Sequence, residues 1–346
     1  MSVAIQYCGL DQAGQLMAFF RDHWARNHIL GNSKELLDWQ HRDESKRRYN
    51  FLIAVSASEI VGMLGFIPTN RYDSSLLNSG FWLTTWKVRA DFAHGLGVSL
   101  LRSLALMEPH TWIGTVGLNP STRGIYELLG YKTGVLSRYF LLNDELGSFR
   151  LAAAPDGFSH QRPDSGGTKF SVIEPNNFIE IVDSLALEPS ISIPAKSPRY
   201  LYQRYLQNPF YKYEALLAED EDGASAILVI RRCEHAGAYA IRIVDFMGAP
   251  KAIAGAGDAF RRLLRNSGAE YLDFYCTNLD AELSMAGLSR QEEVSGLILP
   301  SHFEPFEKRN VELTYALKGS VGRAIVCKGD ADQDRPNSLP LNCQLE

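Results

Sequence analysis

The stretch Trp86-Lys87-Val88-Arg89-Ala90-Asp91-Phe92-Ala93-His94-Gly95-Leu96-Gly97-Val98 sets two glycines, one residue apart, between an apolar run and a run of helical spacing. Glycines at such a junction let the backbone turn tightly, so that successive N–H groups and a helix N-terminus converge on one point. A concavity of that kind carries partial positive charge and suits a pyrophosphate. The plain alternative is a tight strand-to-helix connection that holds no ligand. No Gly-Lys-Ser/Thr follows, so the turn is not a P-loop, and it is too short for a full GxGxxG fingerprint. His94 lies within it and is expected to face solvent.

A second constellation is Asn119-Pro120-Ser121-Thr122-Arg123-Gly124-Ile125-Tyr126-Glu127-Leu128-Leu129-Gly130-Tyr131, with Tyr126 four residues before a helix-ending glycine. A hydroxyl within hydrogen-bond reach of a departing thiolate can act as general acid. As plain structure, Tyr126 is a packing residue and Asn119 caps the helix. Two groups stand out later in the chain. Ile243-Val244-Asp245-Phe246-Met247-Gly248 ends an apolar strand with an acid. Leu299-Pro300-Ser301-His302-Phe303-Glu304-Pro305-Phe306 is a proline-bracketed aromatic loop. Their plain readings are a strand-end cap at Asp245 and a solvated turn at His302 and Glu304. No second paired-glycine turn is read after Asp245. The run Asn208-Pro209-Phe210-Tyr211-Lys212-Tyr213 adds aromatics suited to core packing or to stacking on a base.

These residues need elements to position them. Phe51–Ala57 and Ile60–Phe66 read as a hairpin with a polar break at Ser58-Glu59, and Gly80–Val88 as the next strand. Leu100, Leu101, Leu104 and Ala105 share one helical face. A strand from Trp112, a helix opened by Pro120 and stopped by Gly130, and a strand from Lys132 complete the unit. Two amphipathic helices precede it, at 12–26 and 33–42, the second capped by Ser33. Between 144 and 168 the sequence turns small, polar and Pro/Gly-broken, as a linker does. After it the same order of helices and strands returns, including a helix over 251–266. The expected division is 1–143, a 144–168 linker, 169–319, and a polar tail over 320–346 that adds little to either core.

At 346 residues the chain has room for two ordinary domains. Its formal net charge of -5, with both signs interspersed, speaks against a nucleic-acid track. Five scattered cysteines without a CxxC pair give no disulfide framework or zinc site, so no metal is expected. No apolar run is long enough to cross a membrane, and no secretory signal opens the chain, so a cytoplasmic protein is expected.

The succession of strand, GLG turn, helix, strand and IYELLGY resembles the GCN5-related N-acetyltransferase family. The resemblance implies an α/β (α+β) fold of two tandem domains, each a mixed, mostly antiparallel twisted sheet flanked by helices. It implies that the Trp86–Val88 strand holds a pantetheine arm and that Phe92, Ala93, His94, Gly95, Leu96, Gly97 and Val98 hold the pyrophosphate of acyl-CoA. That molecule would be a co-substrate, with no permanently bound cofactor. Phe92 stands where the family carries Arg or Gln. Tyr126 would protonate the coenzyme A thiolate, and Asn119 would bind the coenzyme arm. The strand Gly80–Val88 offers no carboxylate or histidine as base, which leaves water, the substrate or a residue of the second domain.

The tandem arrangement ending in HFEPF is similar to bacterial acyltransferases acting on nucleotide-linked amino sugars for surface polysaccharides. Asp245, Phe246, His302, Phe303 and Glu304 would then wall the acceptor. Aminoacyl transfer from charged tRNA and non-catalytic binding of coenzyme A or a sugar nucleotide are the alternatives. The first would need a basic surface larger than Lys46-Arg47-Arg48.

Overall fold

Ala57 and Ser58 both take positive φ, 49° and 68°, the double left-handed turn whose twist matches that of two paired strands. The hairpin break therefore falls one residue earlier than Ser58-Glu59. It joins β3 (Arg48–Ser56) to β4 (Glu59–Pro68), which lie beside β1 (Ala4–Gly9) and the two-residue β2 (Arg42–Asp43). The computed structural model describes residues 2–76, 79–92, 94–161, 166–185, 187, 194–319 and 324–338.

β5 (Phe81–Val88), β6 (Trp112–Val116) and β7 (Lys132–Leu142) follow in the first half. The second half supplies β8 (Lys169–Ile173), β9 (Glu214–Glu219), β10 (Ser225–His235), β11 (Ala238–Gly248), β12 (Tyr271–Cys276) and the short β13 (Ser289–Arg290). A separate hairpin of β14 (His302–Phe303) and β15 (Phe306–Glu307) precedes β16 (Leu313–Gly319). All but that hairpin join one sheet in the order β1-β3-β4-β5-β6-β16-β7-β12-β11-β10-β9-β8, with β2 and β13 off this path. Only β5–β6 and β11–β12 run parallel among these pairs. The fold class is thus the expected one, a large, mostly antiparallel sheet flanked by helices.

The halves exchange strands. β16, late in the chain, lies between β6 and β7 and completes the first half's sheet. The end of β7, Ser137–Leu142, pairs with β12 and completes the second's. Two segments expected to stand apart from the cores belong to them. In 144–168, the N–H groups of Arg150, Leu151 and Ala152 donate to the Glu270 carboxylate at 2.6, 2.8 and 3.2 Å, and Leu151 and Ala152 are buried. In the tail, Ile325 to Ala331 are buried. A composition of small and polar residues predicts exposure only when no carboxylate or guanidinium elsewhere satisfies the backbone.

The helix Leu96–Met107 buries Leu100, Leu101 and Leu104 against β3, β4 and β5. Helix Lys34–His41 has Ser33 as N-cap, its side chain accepting from the Leu36 N–H. The helix expected over 251–266 is two, Lys251–Ala254 and Gly257–Ser267, parted at Gly255-Ala256.

Candidate active site

The two parallel pairs mark where the sheet opens. β5 and β6 are in register only over Phe81–Leu83 and Ile113–Thr115. β5 then runs on to Val88 paired with β4 alone, so from Thr84 its other edge leaves β6. Tyr126, on helix Arg123–Leu128, is 3% exposed. Its hydroxyl lies beside the Thr115 side chain, at the point where the strands part. Burial, then the nearby Tyr131, holds that hydroxyl above the ordinary tyrosine range, so at neutral pH it is an acid and not a base. Trp86 stands edge-on to Tyr126, ring centroids 5.7 Å apart.

At the far end of that free edge the chain turns through Phe92 to Gly95. Gly95 has φ 79° and is N-cap of helix Leu96–Met107. A Cβ there would meet nothing within 4 Å, whereas one at Gly97 would meet the Trp86 ring at 3.1 Å. The first glycine therefore serves the turn and the second the close approach of helix to strand. His94 and Gly95 are exposed, Phe92, Leu96 and Val98 partly so, while Ala93 lies outside the described residues. Arg89 pairs with Asp91 and Glu59 at 2.8 and 3.0 Å beside the turn. Asn119 accepts from the Ser121 N–H and hydroxyl at 3.0 and 2.9 Å and so caps the turn before Tyr126.

The second half has the same design, and sequence reading missed part of it. Gly255-Ala256-Gly257 opens helix Gly257–Ser267 with the spacing of Gly95 and Gly97. It was hidden in an alanine-rich run that reads as continuous helix; paired glycines at the start of an amphipathic run were the available signal. This turn is covered. A Cβ at Gly166 would lie 2.3 Å from Gly255 Cα, and Thr168 donates to the Ala252 carbonyl at 3.0 Å. β11 and β12 part after Ile243 and Phe274, and the tail lies in the opening. The backbones of Cys327 and Cys276 pair in a single antiparallel β-bridge, both thiols staying free, Thr277 N–H donates to Val326 O at 3.0 Å, and Gly329 packs on Val244.

Asp245 is corrected by this arrangement. It is 0% exposed, paired with Lys196, and accepts from the Tyr205 hydroxyl at 2.9 Å and the Phe246 N–H at 2.8 Å. Lys196 also meets Asp330 at 2.9 Å. Asp245, Cys327 and Asp330 lie close enough to suggest a cation site, but the Lys196 ammonium is the cation between the carboxylates. Phe246 is likewise buried. Neither faces a cleft. His302, Phe303 and Glu304 are partly exposed. Their hairpin sits where Arg138 and Arg242 hold the carbonyls of Leu299, Pro300 and Ser301. Gln333 joins the hairpin to the first half: it lines a cavity with His302 and lies against Gly117, just past β6.

No family model and no curated protein matches the sequence. Solved structures do match. A GCN5-related N-acetyltransferase from Anabaena variabilis ATCC 29413 superposes with a TM-score of 0.55 at 12% identity, covering 92% of this chain and 72% of that one. The chain has the GCN5-related N-acetyltransferase fold. Another such N-acetyltransferase, from Kribbella flavida, gives 0.52 at 13% identity, over 91% and 70%. A fungal GCN5-related glucosamine N-acetyltransferase region, part of a multi-domain GH3 β-N-acetylglucosaminidase, gives 0.51 at 12% identity, over 92% of this chain and 38% of that one. Among the described residues no helix is long and apolar enough to cross a membrane.

Proposed function

We propose that the chain is an acyl-CoA-dependent N-acyltransferase with one coenzyme site, in the first half. One observation carries this: the free edge of β5 runs from the Tyr126 hydroxyl at one end to the open Gly95 turn at the other. Five residues of strand, Thr84 to Val88, span roughly 16 Å, a length suited to an extended pantetheine arm. The pyrophosphate then rests on the Gly95–Val98 backbone, where N–H groups and the helix N-terminus favour anions. As the acceptor nitrogen bonds to the thioester carbon, the C–S bond breaks and the Tyr126 hydroxyl donates its proton to the leaving sulfur; the proton lost from nitrogen passes to water and restores the tyrosine. The second half keeps the frame of such a site but fills it with its own chain.

The acceptor enters between the halves, where paired units commonly hold small molecules. A nucleotide-linked amino sugar is the class to test first, with a simple amino sugar beside it. The glucosamine activity named for the fungal region of like fold supports a sugar amine. With Asp245 buried, the HFEPF hairpin is left as the acceptor wall on the second half. Thiol release from acetyl-CoA is followed with glucosamine, uridine- and thymidine-diphosphate amino sugars and peptide amines. Acceptor-dependent release with at least one sugar amine is expected. Coenzyme A binding with no release to any amine would favour a non-catalytic binder.

A further inference from the structure

Under the β14–β15 hairpin lies a cavity of about 30 Å³, room for about two waters at the 10–15 Å³ each requires. Lys328, Arg231, Arg242, Ser301, His302 and Gln333 are among its walls. Lys328 is 4% exposed. Its amine stands 5.0 Å over the Tyr275 ring, and among the described residues no carboxylate or hydrogen-bond acceptor is paired with it.

The charges around it do not balance. Arg138 and Arg242 share one carboxylate, Asp273, with contacts of 2.5 to 3.1 Å, and all three are buried. Other charges nearby are matched: Arg231 with Glu304, Arg204 with Asp334, and Arg335 with Asp332. The triad of Arg138, Arg242 and Asp273 carries one positive charge in excess, the reverse of Asp245 and Asp330 sharing Lys196, and a protonated Lys328 beside it would make the excess two, which is costly in a low-dielectric interior. Burial, then Arg242, holds the Lys328 amine well below its usual range, which favours its neutral, nucleophilic form.

The geometry points to Lys328 as a carbamylation site, its amine nitrogen adding to dissolved carbon dioxide in this cavity. The nitrogen lone pair forms the N–C bond, one C=O π pair moves to oxygen, and the N–H proton leaves to solvent past His302. Nothing is oxidised or reduced. The carbamate carries one negative charge, which cancels the excess left by Arg138, Arg242 and Asp273. Its oxygens accept from groups that already line the space, and its size suits two water positions.

The test uses the full chain equilibrated with carbon-13 bicarbonate. A carbamate resonance is expected in the carbon spectrum. Trapping by O-alkylation followed by peptide mass spectrometry should place the adduct on Lys328. In carbon-dioxide-free buffer the melting temperature should drop, and bicarbonate but not chloride should restore it. Lys328→Met, which keeps the apolar stem, should lose both the resonance and the bicarbonate response. If that variant does not fold, trapping on the unaltered chain decides alone. An unmodified Lys328 peptide at saturating bicarbonate, or equal stabilisation by chloride or acetate, would overturn the proposal.

Discussion

Tyr126 is the residue on which the proposed chemistry turns. Tyr126→Phe removes the proton but keeps the ring against Trp86 and Tyr131, so kcat should fall roughly 10- to 1,000-fold with little change in KM for acyl-CoA. Steady-state kinetics that left kcat unchanged would return the tyrosine to packing. A different set of side chains sets the response to acid. Burial, as the first cause in each, depresses His28 to about 3, His160 to about 4, and His41 well below the usual value. Below about pH 6.5 the unfolded chain protonates these rings while the native chain does not, so stability falls as pH drops from there toward 3–4. Asp330, raised to about 7 by burial, acts in the opposite sense as a single group. Melting temperatures at pH 7.5 and 5 should therefore differ, the lower at pH 5. The places of Tyr126 on its helix and of Gly95 at the start of helix Leu96–Met107 were legible because turn signals and helical spacing coincide within a few residues. Thr115 beside Tyr126 and Lys328 in its cavity were not, since neighbours about ten to a hundred residues apart leave no local trace.

Among the elements, the glycine turn and the tail make opposite demands on the chain. Gly95→Ala meets open space but forces a side chain to φ 79°, a cost of roughly 1–2 kcal/mol. Calorimetric titration should show weaker acyl-CoA binding, and thermal unfolding a modest loss of stability. Lys196→Met, by contrast, leaves Asp245 and Asp330 buried without a counter-ion and should cost roughly 3–5 kcal/mol in denaturant unfolding. The strands were readable from apolar runs bounded by turns, and nearly all of them form. The tail was misread for a physical reason. Lys328, Asp330, Asp334 and Arg335 look like solvent residues by type, yet Arg204, Tyr213 and Gln40 meet this segment inside. Burial of charged residues depends on partners that a local window does not contain.

At the scale of the molecule, the sheet contradicts a cut at residue 143. The piece 1–143 lacks β16, which separates β6 from β7, and exposes the edges of both. It should express as an unfolded or aggregated fragment, and circular dichroism melting should show no cooperative transition, whereas the full chain shows one. The repeat of pattern was legible in the order of elements, but the exchange was not, because a strand's sequence does not name its neighbours. The exchange also sets a schedule for the nascent chain. β6 leaves the ribosome roughly 200 residues before β16, which at 5–20 residues per second is about 10–40 s. Through that interval the growing polypeptide carries a half-built sheet with a gap at its centre, so a chaperone that shields strand edges would raise the yield most during elongation, and slowing translation should lower it.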